Sequence, residues 1–400
     1  MIRSARTTFP SPILFALSYT VLAAMVIFFL PPYALWDERL FYPEIERLSQ
    51  DWPGLQASIT GLQSPMGPLY FWVYALFAKI SDNSWILMRI LHLWLSGILL
   101  LQLATYLSGH RYSWITWLAF LCYPYFLVMC GPLLYTDVLG LLLCYGGIRL
   151  YYEKKSYLLA GLLWGLALWT RQLFIIIPLS AGISALLQKP SFSTSSYFSI
   201  AAPLLAGLLF LPLYLLWGDV NSGNFPDGMY AENSLAAFRF TLQDLNYSLA
   251  LVGLWTIPAL IIYVRKIHWK IYGICFLFAL ILTILAVPTQ VNADMTVGNL
   301  PATAGLLDIA LSMTSYAAYP LAAGLIALAL YLLYSSLNLL GEIHVRFLWI
   351  AIILFILLEA SYSYCWDKHT LLVAPIILYL SMLRFSGTEN IVQLTSSSSA

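Results

Sequence analysis

Long apolar runs recur along the whole of this 400-residue chain. A helix needs about 20 apolar residues to cross the hydrocarbon core of a bilayer, where only helices and closed barrels satisfy their own backbone hydrogen bonds. Runs that approach or reach this length occupy residues 11–30, 84–107, 113–132, 134–152, 157–170, 172–188, 197–217, 248–264, 270–288, 316–338, 345–361 and 369–384. The sequence therefore predicts an all-α polytopic membrane protein with about 12 transmembrane helices.

The same pattern predicts a single membrane domain over residues 1–400. The chain is 61% hydrophobic and 9% charged, so almost every residue lies in or beside a predicted span, and no separate soluble module is expected. We read the first run as a retained anchor, because Pro31 and Pro32 follow it in place of a small-residue cleavage site. The predicted domain divides into a first outer loop (31–83), the rest of an N-terminal core (84–217), C-terminal spans (218–385) and a disordered cytoplasmic tail (386–400).

Several classes of function are not expected from this composition. The five cysteines are scattered without CxxC or Cys/His spacing, which predicts neither a disulfide nor a metal site. The net charge of +1, with no cluster of Lys and Arg, gives no reason to expect a nucleic-acid partner. The sequence has no P-loop, GxGxxG, HExxH or GxSxG motif, so no nucleotide site is predicted, and without a DxD motif no metal or other cofactor is expected.

One further apolar run, at residues 68–78, is shorter than the roughly 20 residues that a spanning helix needs. Whether it spans decides on which side of the membrane every later loop lies. If it does not span, the N-terminal side receives most of the 19 basic residues, as the positive-inside rule requires of the cytoplasm. These are Arg3, Arg6, Arg111, Arg149, Lys154, Lys155, Lys189, Arg265, Lys266, Lys270, Arg346 and Arg384. We therefore predict cytoplasmic N- and C-termini and a re-entrant or interfacial helix at 68–78.

The acidic residues then fall on the opposite side, although they orient spans only weakly and did not enter the assignment. Of the 18 acids, only Glu153, Glu342 and Glu389 face the cytoplasm in this topology. The long connections, at residues 31–83, 218–247 and 289–315, are also on the outer side. Since functional groups concentrate on long loops, the site is predicted to face the lumen or the cell exterior.

The first outer loop contains a predicted surface helix. Its apolar residues recur at helical spacing, at Phe41, Ile45, Leu48 and Trp52. Its polar side carries Glu44, Glu46 and Asp51, which we expect to face water. Asp37 and Glu38 directly precede it, where negative charge favours a helix N-terminus.

Five further ionisable residues lie near span ends on the predicted outer side. Asp137 and Arg171 are each pinched between two apolar runs, and Glu359 lies about one turn inside its span. Lys368 and His369 begin the last span. Ionisable groups at membrane depth are candidates for function, although a structural ion pair between Asp137 and Arg171 and an interfacial anchoring role for Lys368 and His369 remain alternatives.

Three motifs in this order resemble the GT-C glycosyltransferases, which are integral membrane enzymes. They are "WDERLFYPEIERLSQDWPGLQASITGLQSPMGPLYF", "LYTD" at 134–137 and "TRQ" at 170–172. The resemblance covers roughly residues 30 to 180 and is greatest to the dolichyl-phosphate-glucose α-1,2-glucosyltransferase family, which adds the terminal glucose to the lipid-linked oligosaccharide. The chain departs from that family at Tyr42, where the family has His.

The resemblance implies a GT-C fold and transfer of a hexose from a polyprenyl-phosphate-linked donor, such as a dolichyl phosphate sugar, to a hydroxyl of a glycan, lipid or protein acceptor. It implies inversion by single displacement, with Asp37 as the general base and Glu38 and Asp137 as further catalytic acids. The residues expected to hold the donor phosphate are Arg171, Lys368 and His369. Those expected to contact the sugar or the acceptor are Trp36, Tyr42, Trp52, Tyr135 and Gln172.

Two other hypotheses remain open from the sequence. In a transporter or lipid flippase, Asp137, Arg171 and Glu359 would lie on the path of a substrate or proton. A non-catalytic member of the same superfamily would bind donor or glycan without turnover. Transport in liposomes without sugar transfer would favour the first, and donor binding without turnover would favour the second.

The predicted topology is testable by cysteine accessibility. A single cysteine introduced at Lys154 is expected to react with a membrane-impermeant maleimide only from the cytoplasmic side, because the loop at 149–155 carries three basic residues. A cysteine at Asp51 is expected to react only from the outer side. Labelling of position 154 from outside intact cells or sealed vesicles would contradict the topology.

Overall fold

The structure is a computed structural model that describes residues 12–35, 38–64, 66–107, 131–188, 194–218, 240–288, 296–297, 300–301, 318–361 and 367–386. Within these ranges the regular structure is helical, apart from one antiparallel pairing of two-residue strands, β1 (Thr296–Val297) with β2 (Leu300–Pro301). The prediction of an all-α membrane protein is therefore confirmed for the described part of the chain.

The described helices are numbered in chain order. They are α1 Pro12–Phe29, α2 Glu38–Gln50, α3 Leu55–Thr60, α4 Pro68–Ile80, α5 Trp85–Leu107, α6 Thr136–Tyr152, α7 Tyr157–Leu168, α8 Ile176–Leu186, α9 Thr194–Trp217, α10 Leu242–Tyr263, α11 Trp269–Leu285, α12 Ala318–Ser335, α13 Ile343–Ser361 and α14 Ala374–Ser386. Single turns of 3-10 helix cover Gln172–Ile175, Val264–Lys266, Leu337–Leu339 and Asp367–Leu372.

The predicted spans coincide with helices, except for the run at 113–132, most of which lies outside the described residues. Within the described ranges, five helical segments are long and apolar enough to cross a membrane by length and composition: Trp85–Leu103, Tyr197–Trp217, Leu242–Lys266, Ala318–Leu339 and Ile343–Ser361. The chain is thus a multi-pass helical membrane protein. Twelve spans and the GT-C arrangement of the helices stay predictions.

The helices form two groups that meet along one seam. In the N-terminal group, α5 packs against α1 and α6, α7 packs against α6 and α9, and α8 packs against α9. In the C-terminal group, α10 packs against α12, α13 and α14, and α12 also contacts α11. The contact of α8 with α13 joins the two groups, so segments at this seam come from distant parts of the sequence.

Several described helices, α9 and α11 among them, keep long apolar faces exposed, which suits a hydrocarbon surrounding. On α9 these residues include Leu204, Leu208, Leu211 and Leu215, and on α11 they include Ile274, Leu277, Ile281 and Ile284. Such faces are unfavourable in water, because an exposed leucine or isoleucine gains none of the free energy that comes from removing apolar surface from water. The bilayer predicted from the composition is therefore the natural solvent for the fold.

The surface helix of the first outer loop is confirmed as α2, and its predicted apolar face is buried. Phe41, Ile45 and Leu48 pack against α4 in one hydrophobic cluster. The predicted wet side is wrong at Glu44, which is 5% exposed and accepts a hydrogen bond of 3.1 Å from Arg47 Nε. Trp52 lies beyond the end of α2 and is half exposed. A neighbouring helix therefore covers more of α2 than the wheel alone suggested.

The apolar run at 68–78 forms α4, which extends to residue 80 and follows Gly67 with Pro68 at its first position. Its 13 residues give a length of about 20 Å, which is shorter than the roughly 30 Å hydrocarbon core. The helix prediction is thus confirmed, and a non-spanning placement agrees with this length.

The contact of α10 with α12 depends on a glycine. A Cβ atom added to Gly253 would lie 1.9 Å from the Leu325 carbonyl oxygen, whereas one added to Gly273 on α11 meets nothing within 4 Å. We expect Gly253→Ala to lower the free energy of unfolding by about 1–3 kcal/mol, because two helix backbones must separate. Gly273→Ala is the matched control and is expected to leave stability unchanged or raise it by about 0.5–1 kcal/mol. Thermal unfolding midpoints in detergent test this, and equal midpoints would contradict the close approach.

Candidate functional site

A buried ion pair joins the first residue of α2 to α5. Arg89 donates from Nε to Glu38 Oε1 at 3.3 Å and from Nη2 to Glu38 Oε2 at 2.7 Å. Its remaining donors reach the Pro31 carbonyl at 2.8 Å and the Tyr33 carbonyl at 3.0 Å. Both charged side chains are 1% exposed. The rigid fork of donors on Arg89 thus holds the end of the segment after α1 and the start of α2 together.

The Glu38 carboxylate also accepts two backbone hydrogen bonds. Leu35 N donates to Oε2 at 2.9 Å, and Glu38 N donates back to the Leu35 carbonyl at 2.9 Å, which closes the chain over residues 35–38. Leu134 N donates to Oε1 at 3.0 Å. Glu38 therefore connects the "WDE" motif directly to the residue that begins "LYTD". We call Glu38, Arg89 and these backbone partners the Glu38 cluster.

The segment that leads into α6 is held on its other side by aromatic residues. Tyr70 OH donates to the Leu134 carbonyl at 2.9 Å, and Tyr135 N donates to His92 Nε2 at 3.5 Å. Because Nε2 accepts this hydrogen bond, Nδ1 carries the proton and faces the Tyr74 hydroxyl. His92 is thus a buried residue that holds the entry to α6.

A second buried cluster of charged groups forms where the two helix groups meet. Arg171 Nη1 contacts Asp137 Oδ1, and Arg171 Nη2 lies 2.9 Å from His369 Nε2. His369 Nδ1 lies 2.8 Å from Glu359 Oε1. The four side chains, which we call the Arg171 cluster, are each at least nine-tenths buried. They come from α6, the residue before the turn at 172–175, α13 and the turn at 367–372.

Arginine has N–H donors and no acceptor, and this determines where the proton lies on His369. A guanidinium only donates, so His369 Nε2 must accept from Arg171, and the imidazole proton lies on Nδ1, where it is donated to Glu359. His369 is therefore neutral in this arrangement. Asp137 Oδ2 is buried and has no hydrogen-bond partner among the described residues. An acceptor oxygen is thus available beside the guanidinium.

A glycine lets Arg171 approach α6. A Cβ atom on Gly140, one turn after Asp137, would lie 1.8 Å from Phe174 Cε2 and 2.4 Å from Thr170 Oγ1. A side chain at this position would push the segment around Arg171 away from the helix. The spacing of three residues between Asp137 and Gly140 puts the carboxylate and the cleft for its partner on one helix face.

The first outer loop docks beside the same segment. Gly67 N donates to the Thr170 carbonyl at 2.9 Å, and Leu69 N donates to the Trp169 carbonyl at 3.0 Å. A Cβ atom on Gly67 would lie 2.0 Å from Trp169 O, so only glycine fits there. The start of α4 is therefore hydrogen-bonded to the residues directly before Arg171.

Some predicted site residues lie outside what can be described. Trp36 and Asp37 fall between the described ranges 12–35 and 38–64, and the side chain of Lys368 is not among those described. Their predicted roles stay predictions. The backbone on both sides of residues 36 and 37 is fixed by the Glu38 cluster.

The predicted sugar-contacting residues are spread over the same region. The Tyr42 ring lies 4.2 Å from the Trp85 ring, and burial together with the charge of Glu46 raises the pKa of Tyr42, so that its phenol stays protonated at neutral pH. The Trp52 ring lies 5.9 Å from that of Trp72. Tyr135 is buried in the Glu38 region.

Trp72 and Gln172 connect this region to the Arg171 segment. The Trp72 ring lies 5.6 Å from that of Trp169, so the aromatic contact started by Trp52 continues to the residue two before Arg171. Gln172 is next to Arg171, and its Nε2 is a buried donor that has no partner within the described part of the chain.

The structure brings together the ionisable residues that the sequence singled out at membrane depth. Asp137, Arg171, His369 and Glu359 form one cluster, and the alternative of a structural contact between Asp137 and Arg171 is confirmed as a contact. Sequence reasoning missed Arg89 as the partner of Glu38. The available signal was a single basic residue near the start of an otherwise apolar helix.

Comparisons with known proteins found no match: no protein-family model, no curated protein and no solved structure matches this chain. The GT-C resemblance therefore rests on the motifs alone. Within the described residues, no group of three or more His, Cys, Asp and Glu side chains could hold a metal ion, and metal independence stays a prediction.

Because the charges of the Arg171 cluster are buried, we expect removal of one of them to lower the stability of the protein strongly. Arg171→Met leaves the buried Asp137 uncompensated and is expected to lower the free energy of unfolding by about 3–5 kcal/mol. The double variant Arg171→Met/Asp137→Leu removes both charges and is expected to recover most of this loss. The control is Arg149→Met, whose pair with Glu153 is nearly half exposed, and it is expected to cost less than about 1 kcal/mol.

Thermal unfolding in detergent distinguishes these outcomes. Equal destabilisation by Arg171→Met and Arg149→Met would contradict a buried, compensated guanidinium. A double variant that is less stable than Arg171→Met would contradict the assignment of Asp137 as its main partner.

Proposed function

We propose that this protein is an integral membrane glycosyltransferase that moves a hexose from a polyprenyl-phosphate-linked donor to a hydroxyl of a glycan, lipid or protein acceptor. The observation that carries the proposal is the Glu38 hydrogen bond to Leu134 N, which joins the two acidic motifs of the resemblance. The third motif, around Arg171, contacts the second through Asp137. Three separated sequence motifs are thus linked by direct contacts.

The proposed reaction needs two kinds of group. The acceptor hydroxyl oxygen attacks the anomeric carbon, its proton passes to a base, and the bond from that carbon to the phosphate oxygen breaks with inversion. The lipid phosphate leaves with the bonding electrons and is stabilised by positive charge. In our proposal Asp37 is the base, and its neighbour Glu38, which already accepts four hydrogen bonds, acts by holding the segment in place.

Arg171 and Lys368 are proposed to receive the phosphate end of the donor. Arg171 supplies a permanent positive charge, and Lys368, next to His369 in the sequence, supplies a second cation. Asp137 Oδ2 is a buried acceptor and is proposed to bind an acceptor or sugar hydroxyl. The hydroxyl would satisfy an oxygen whose burial without a partner is costly.

Aromatic and amide side chains are proposed to contact the sugar rings. Trp52 and Tyr42 lie in the first outer loop, and Tyr135 and Gln172 lie beside the acid and the guanidinium of the second and third motifs. Trp36, next to Asp37, completes this proposed set. The full proposal also includes a GT-C fold, about 12 spans, cytoplasmic termini and a site that faces the lumen or the cell exterior.

The assay uses the purified protein in nanodiscs with a panel of polyprenyl-phosphate sugars and a hydroxyl-bearing acceptor mixture. Consumption of one donor with release of polyprenyl phosphate is the expected result. Asp37→Asn is expected to reduce the rate by 100-fold or more, since loss of general base catalysis costs on the order of 10²–10⁴-fold. Asp51→Asn, the same chemical change at an exposed acid of the same loop, is the matched control and is expected to keep the wild-type rate.

The outcomes separate the proposed function from its alternatives. Near wild-type turnover by folded Asp37→Asn would remove Asp37 as the base. Donor movement across liposome membranes without sugar transfer would instead support a transporter that uses Asp137, Arg171 and Glu359. Donor binding without any turnover would support a non-catalytic binding protein.

A further inference from the structure

We infer that Arg89 is a positioning residue for the proposed reaction, because it holds Pro31, Tyr33 and Glu38, which flank Asp37 in the sequence, and Glu38 in turn contacts the segment that leads into α6. The inference rests on the proposed function, in which Asp37 is the base. Arg89 itself is 1% exposed and belongs to no motif of the resemblance. Its role follows from what its guanidinium holds.

The guanidinium binds the chain on both sides of residues 36 and 37. Upstream it donates to the carbonyl oxygens of Pro31 and Tyr33, and downstream it donates twice to Glu38. The two ends are also tied to each other by the reciprocal hydrogen bonds of Leu35 and Glu38. One side chain thus holds the backbone at Pro31 and Tyr33 together with the carboxylate of Glu38.

The Glu38 carboxylate also contacts the segment that leads to Asp137. Glu38 Oε1 accepts from Leu134 N, three residues before Asp137, and α6 begins at Thr136. The hydrogen bonds of Tyr70 and His92 hold residues 134 and 135 from other directions. Any displacement of Glu38 therefore changes the position of the first acidic motif relative to the second.

An ammonium group could not replace this fork. Arg89 has five N–H donors in a planar arrangement, and it uses them on three residues, Pro31, Tyr33 and Glu38, whereas a lysine presents one compact charge. A buried ion pair is weak evidence for stability, because an apolar pair of similar size is often as stable. The geometry that the pair imposes on the backbone is the feature that an apolar pair would lose.

The first readout is kinetic. Arg89→Lys and the double variant Arg89→Met/Glu38→Met, which leaves no unpaired buried charge, are compared with wild type for kcat and for the donor KM. We expect kcat to fall on the order of 100-fold with a donor KM close to wild type, since small misplacement of a reacting group has this effect. Arg149→Met, which alters an exposed ion pair, is expected to change neither constant.

The second readout does not depend on activity. Spin labels are attached at Tyr33→Cys, in the exposed part of the held segment, and at Leu158→Cys on α7, which packs against α6. The background has its five native cysteines replaced. We expect a narrow distance distribution in the otherwise unaltered protein and in Arg149→Met, and a broad one in Arg89→Met/Glu38→Met.

The two readouts separate the possible failures. A narrow distribution in the folded double variant, or a broad one with unchanged kcat, would overturn the positioning role of Arg89. A wild-type protein that consumes no donor, while the double variant still broadens the distribution, would contradict the proposed function and leave Arg89 as the residue that fixes the segment. Loss of kcat together with broadening supports both.

Discussion

The buried guanidinium of Arg171 is the group on which the arrangement of this protein depends. A charge at this depth is costly unless it is compensated, and its compensation comes from Asp137 in the N-terminal group and from His369 in the C-terminal group. His369 is in turn held by Glu359, near the end of α13. The two helix groups must therefore be assembled before the guanidinium has its partners. The site is the seam of the fold rather than a cleft in one half of it.

The first outer loop is also held by buried side chains, some of them apolar and two of them oppositely charged. The apolar side of α2 packs against α4 through Phe41, Ile45 and Leu48. The start of α2 is held by the ion pair of Glu38 with Arg89. The start of α4 then reaches the segment before Arg171 through backbone hydrogen bonds. Two buried charged clusters are thus connected by the first outer loop. This linkage lets a base in the loop and cations at the seam serve one reaction, as we propose.

Much of this architecture followed from local pattern, because apolar runs of membrane length and helical periodicity in α2 depend only on neighbouring residues. The members of the Arg171 cluster were also identifiable, since ionisable groups among apolar runs stand out without knowledge of their partners. The contact of Arg171 with His369 was not predictable, because the two residues are far apart in sequence and nothing local specifies which charges meet. The error at Glu44 has a similar cause, since a helical wheel gives a direction but not the extent of the neighbour that covers it. Arg89 escaped notice because its partner lies in another segment.

The glycines at 67 and 140 have a consequence for recognising relatives of this protein. Carboxylates and guanidinium groups at a site can exchange positions over evolution while their sum is kept, because charge acts over a distance. A close contact that leaves no volume for a single methyl group has no such substitute, and both glycines face Thr170, the residue directly before Arg171. The spacing of Gly67, Gly140 and the Thr170–Arg171 pair is therefore a steric signature that a distant relative would retain even where its acidic motifs have drifted.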